Sequence, residues 1–103
     1  MDHDEDILYA VVNAFIEEVP KLVTQLEDAL AAGDQAAVER AAHTLKGNFR
    51  ILQLQTQQTS WANIEIMAHQ NARNQIPECL PEAKTITHDV LTQLKSALES
   101  RES

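Results

Sequence analysis

The chain has 103 residues, 44% of them hydrophobic and 23% charged, a composition that suits one globular domain and is too apolar for intrinsic disorder. Only 4% are aromatic, with two glycines and three prolines, so residues that favour strands and tight turns are scarce and a β-sandwich or barrel is disfavoured. Eight Lys and Arg against sixteen Asp and Glu leave a formal charge of −8, which repels a nucleic-acid backbone or an anionic membrane surface and argues against both as partners. Cys79 is the single cysteine, so neither an intramolecular disulfide nor a thiolate zinc cluster can form, and it reads as a structural thiol in a reducing compartment. No run approaches the ~18 apolar residues of a transmembrane helix, and Met1-Asp2-His3-Asp4-Glu5-Asp6 is the opposite of a basic signal-peptide start. The expected location is the cytoplasm.

Residues 1–6 form an acidic tail, and residues 7–103 are expected to make the domain. From Ile7 onward, Leu8, Val11, Val12, Phe15, Val19, Leu22, Val23, Leu26, Ala29 and Leu30 recur at the three-and-four spacing of one buried helical stripe. Pro20 falls within this first helix and should kink or divide it, but the stripe runs through and one element is kept. Gly33-Asp34 marks a boundary, because glycine readily takes the left-handed conformation that closes a helix and aspartate can cap the next.

A second helix is expected over 35–52, with Val38, Ala42, Leu45, Phe49 and Leu52 inward. A third covers about 56–73, anchored by Trp61, Ile64, Met67 and Ala68, and residues 74–81, with two prolines, read as a loop. Ala83, Ile86, Val90, Leu91, Leu94, Ala97 and Leu98 then define a final helix ending near Ser100. The fold class is all-α, an antiparallel up-down-up-down four-helix bundle, with room for a short extra N-terminal helix.

The second helix carries the functional signal. At about 100° per residue from Val38, the core positions fall within about 40° of zero, while Lys46, Glu39, Arg50, His43 and Gly47 fall between about 80° and 180°. His43 therefore sits on the outer face with Lys46 three residues on and Gly47 four residues on. A mid-helix glycine costs about 0.5–1 kcal/mol relative to alanine, so Gly47 calls for a reason, and its missing side chain would let another surface approach the imidazole. Lys46 would disfavour protonation of His43 and then offset negative charge on anything attached to it. His3, His69 and His88 read as surface or boundary residues. Glu39/His43 and Glu65/His69 each have i,i+4 spacing that could chelate a metal, but the ligand pairs of di-iron bundles project inward whereas Glu39 and His43 project outward, so no metal site is expected.

Ala42-His43-Thr44-Leu45-Lys46-Gly47 resembles the His-x-x-Lys-Gly signature of histidine-containing phosphotransfer domains. Phe15-Ile16-Glu17-Glu18-Val19-Pro20-Lys21-Leu22 is similar to that family's first long helix and Ala31-Ala32-Gly33-Asp34 to its turn before the histidine helix, giving a resemblance over about 7–100. It implies that His43 accepts a phosphoryl group from a receiver-domain aspartate and passes it to another receiver in a two-component phosphorelay. It also implies reaction at Nε2, with Lys46 near the phosphoryl oxygens, Gly47 giving access, and Glu39 and Arg50 on the partner-binding face. The implied partners are response-regulator receiver domains and a hybrid histidine kinase. No cofactor of its own is implied, with Mg2+ expected on the receiver and a monomer as the default state. Family members are phosphoryl carriers without kinase activity, in keeping with the lack of any Gly-rich phosphate loop.

The sequence departs from the family after Gly47, where small residues and often a second glycine are usual but Asn48-Phe49-Arg50-Ile51-Leu52-Gln53 stands instead. Phe49 is expected inward, reshaping the packing of the second and third helices, and Gln53 removes flexibility at the helix end. Two other readings are carried: a non-catalytic adaptor bundle that binds a receiver or signalling domain, and the phosphoacceptor domain of a chemotaxis-type kinase. Met1 at the start and Ser103 at the end favour a separate protein over the latter.

Overall fold

The computed structural model describes the backbone of residues 2–102 and the side chains of residues 9–72 and 74–100. Four helices, α1 (Asp2–Ala32), α2 (Gln35–Ile51), α3 (Gln55–His69) and α4 (Ile76–Glu102), with a short 3-10 turn at Arg73–Gln75, make an all-α up-down-up-down bundle. The described residues include no strand. The room for a separate N-terminal helix is taken up by α1 itself, whose backbone is continuous from Asp2 and passes through Pro20 without division. The acidic side chains before Asp6, with His3 and Leu8, lie outside the described residues.

Helix ends follow local chemistry. Asp34 caps α2, its Oδ1 accepting from the Ala37 amide at 3.1 Å. The three α-helices that precede a turn close in the same way, with one residue at positive φ: Gly33 at 74°, Gln53 at 59° and Asn71 at 59°. Around Gln53, the Leu54 amide donates to Phe49 O at 2.9 Å and the Gln53 amide to Arg50 O at 3.0 Å, the paired bonds of a Schellman ending. The turn at Asn71 stops α3 at His69, four residues short of the expected end.

The expected loop over 74–81 is largely helix, because α4 begins at Ile76. Pro77 lies in the first turn, where an amide has no intrahelical acceptor to lose, and Pro81 costs α4 a single backbone bond. In return Ile76 and Leu80 reach the core.

The core is one cluster drawn from all four helices: Phe15, Val19, Leu22 and Leu26 of α1, Val38, Ala42, Leu45 and Phe49 of α2, Trp61, Ile64 and Ala68 of α3, and Ile76, Ala83, Val90 and Leu91 of α4. Truncating a fully buried member such as Leu45 to alanine costs about 2–5 kcal/mol. Phe49 is buried as expected, its ring standing edge-on to Phe15 of α1 at 5.0 Å between centroids. Trp61 donates its indole N–H to Oγ1 of buried Thr87 at 2.9 Å, tying α3 to α4. Val11 and Ala97, expected inside, are exposed. At about 1.5 Å per residue α1 and α4 outrun the shorter α2 and α3, and the molecule is accordingly elongated, 47 × 22 × 20 Å.

Candidate functional site

The outward face of α2 meets α3 along a polar seam. The His43 side chain is 67% exposed, and its Nδ1 lies 2.7 Å from Oε2 of Glu65 on α3. The other Glu65 oxygen, Oε1, accepts from Lys46 Nζ at 2.7 Å. One turn away, His69 Nδ1 lies 2.9 Å from Oε1 of Glu39. Four residues back on α2, from His43 to Glu39, match four residues forward on α3, from Glu65 to His69, as antiparallel neighbours require. The Gln35 side-chain amide, donating to Ala68 O, holds the far end of the same seam.

Of the residues singled out from sequence, His43, Lys46 and Gly47 come together as expected, and Arg50 is exposed on the same helix. Glu39 and Lys46 are only half-exposed, because α3 partly covers them. The intrahelical Glu39/His43 and Glu65/His69 spacing serves neither helix alone: each glutamate pairs with the histidine of the other. Among the described residues no group of three His, Cys, Asp or Glu side chains is placed to hold a metal ion.

Glu65 was missed as a site residue. Two Glu-x-x-x-His segments on antiparallel helices were the available signal, since register alone sets each acid opposite the other helix's histidine. Burial pushes the Glu65 carboxyl up, but the hydrogen bonds and charges of Lys46 and His43 outweigh it and hold the carboxyl below its usual value. Glu65 is therefore ionised at neutral pH.

An ionised carboxylate only accepts, so His43 Nδ1 carries the proton and donates it to Glu65. In neutral imidazole this leaves the lone pair on Nε2, the nitrogen turned away from Glu65. Lys46 reaches Glu65 rather than the ring, so its charge is compensated in the resting arrangement. A Cβ built on Gly47 would meet nothing within 4 Å, which means that packing inside the chain does not demand glycine there. The open space faces outward beside His43. The arrangement can present a neutral, oriented nucleophile to an electrophile carried on another surface.

No helix among the described residues is long and apolar enough to cross a membrane. Comparison with curated proteins and with solved structures finds no match. The family model for the Hpt domain matches residues 10–102, which covers all four helices and the α2–α3 seam. With a four-helix bundle, an exposed histidine whose Nδ1 is tied to a carboxylate, and a family match over nearly its whole length, the chain belongs to the Hpt domain family, the histidine phosphotransfer carriers of two-component signalling, which do not act as kinases by themselves.

Proposed function

We propose that His43 is the phosphoacceptor and that the chain relays a phosphoryl group between receiver domains, taking it from the receiver of a hybrid histidine kinase and giving it to a response regulator. Nε2 attacks phosphorus in line with the leaving aspartate oxygen. A P–N bond forms, the P–O bond to the aspartate breaks, and the electron pair leaves with the carboxylate. The Nδ1 proton stays between the ring and Glu65, whose negative charge stabilises the imidazolium character that develops on phosphorylation. Delivery to the next receiver is the same step in reverse.

Lys46 is within reach of the phosphoryl oxygens and can exchange Glu65 for them, offsetting the added charge. Gly47 gives the partner's active-site rim room to approach. Arg50 contributes an exposed cation to the docking face, whereas Glu39, held by His69, contributes mainly to the α2–α3 register. The partner supplies the metal ion and most of the charge that stabilises the transferring group. The working unit is the domain over 7–103.

The observation that carries this reading is the 2.7 Å Nδ1–Glu65 contact on a ring that is two-thirds exposed. The test is to mix the purified chain, and separately His43→Gln, with phosphorylated receiver domains from the same genome and to follow an acid-labile, base-stable phosphoryl group by intact mass. Transfer to the native chain alone is expected. Binding without transfer to either would instead make the protein an adaptor.

A further inference from the structure

His69 repeats the chemistry of His43 on the other helix of the seam. Its side chain is 75% exposed and its Nδ1 lies 2.9 Å from Oε1 of Glu39, against 67% and 2.7 Å for His43 and Glu65. A local two-fold that exchanges α2 with α3 turns one pair into the other. A carboxylate oxygen only accepts, so Nδ1 donates its proton to Glu39 and, in neutral imidazole, the lone pair is left on Nε2. The relay through His43 leaves this second tethered imidazole unused. His88 of α4 is exposed as well, but its ring has no hydrogen-bond partner among the described residues.

The symmetry stops at the flanking residues. Where Lys46 follows His43, the corresponding position after His69 is Ala72, and Glu39 makes no ion pair with a lysine or arginine among the described residues. The turn through Gln70 and Asn71 stands where Gly47 leaves open space beside His43. His69 is also the last residue of α3, where outward carbonyls disfavour added negative charge. The nucleophile is thus present without the cation that offsets a transferred group or the clearance that admits a receiver's rim. We propose that His69 is a second phosphoacceptor, charged at Nε2 by small phosphoramidate donors and not by receiver domains. Nε2 attacks phosphorus and a P–N bond to the ring forms, while the donor's own P–N bond breaks and its amine leaves with the electron pair. The Nδ1 proton stays between the ring and Glu39. For want of an ammonium partner, His69 reacts about tenfold more slowly than His43. Residue and donor both differ from those of the relay, so the two activities stand independently.

The test incubates His43→Gln with potassium phosphoramidate at neutral pH and follows the acid-labile phosphoryl group by intact mass, its position assigned by peptide mapping in alkali. One phosphoryl group on His69 is expected, and none in the double variant His43→Gln/His69→Gln. In the His43→Gln background, Glu39→Ala should slow labelling of His69 about three- to tenfold. Glu39→Gln, whose amide oxygen still accepts from Nδ1, should restore most of the rate. A purely structural role for the pair moves Tm without producing this order of rates. Phosphorylated receivers should leave His69 unlabelled. No label on His69, labelling of His88 at the same rate, or a rate insensitive to Glu39→Ala overturns the proposal. So does labelling of His69 by a receiver, which would make it a second relay residue. Failure of the native chain to accept a phosphoryl group from any receiver overturns the carrier reading instead and leaves the phosphoramidate result standing.

Discussion

Replacing Glu65 with glutamine keeps the size of the side chain but leaves one acceptor oxygen where two donors converge, Lys46 Nζ and His43 Nδ1, each at 2.7 Å. The ammonium makes the stronger, charge-assisted bond and takes the oxygen. The glutamine NH2 then faces Nδ1 and donates to it, which favours the tautomer with the proton on Nε2 and blocks the nucleophilic lone pair. Restoring the reactive tautomer costs about one hydrogen bond to a charged group, ~1.5–3 kcal/mol, or roughly 10- to 100-fold in rate. Water competes at a ring this exposed, so the effect should lie near the lower end, about tenfold. Glu65→Ala leaves Nδ1 to water, with neither tautomer imposed, and should lose less than Glu65→Gln. The assay is single-turnover transfer from a phosphorylated receiver, with receiver Kd measured in parallel to separate chemistry from docking. Wild-type rates in Glu65→Gln, or a larger loss in Glu65→Ala than in Glu65→Gln, would refute the tautomer argument.

The lowered Glu65 carboxyl also sets a pH dependence of stability. A carboxylate whose folded pKa lies below its unfolded value contributes stability that is present above about pH 4.5 and is lost as pH falls through the folded value. Wild-type stability should therefore drop more between pH 5 and 3 than that of Glu65→Gln, a difference measurable by urea unfolding at each pH. Gly47→Ala should raise stability by about 0.5–1 kcal/mol, since the added methyl meets nothing within 4 Å and alanine is the better helix former, while slowing transfer by obstructing the receiver. Thermal unfolding and transfer rate in one preparation check both signs, and an unaffected rate would remove steric access as the reason for this glycine. Gln53→Gly should stabilise the chain by up to about 1 kcal/mol, because φ is 59° at the closing position of α2, and this too is read from the urea midpoint.

How far the chain was legible before folding depends on the range of the interaction. The α1 stripe from Val12 to Ala29, the α2 seam from Val38 to Phe49, and the Gly33-Asp34 boundary were all readable, because helical periodicity and capping act over one to four residues. His43, Lys46 and Gly47 were readable for the same reason: one helix presents them. The start of α4 was not, since Pro77 and Pro81 look like loop residues until the first-turn geometry and the burial of Ile76 and Leu80 are known. The end of α3 was misplaced because Asn71, rather than a glycine, adopts the positive φ that closes it.

Sequence by itself thus determined the helices, the core stripes and the face that carries His43, all of them properties of a chain segment and its immediate neighbours. Tertiary structure decided what that face can do. Only the antiparallel docking of α3 on α2 brings Glu65, 22 residues away, to His43 and Lys46. A helical wheel gives the direction of a side chain but not what stands opposite it, and proton position on an imidazole depends on what stands opposite.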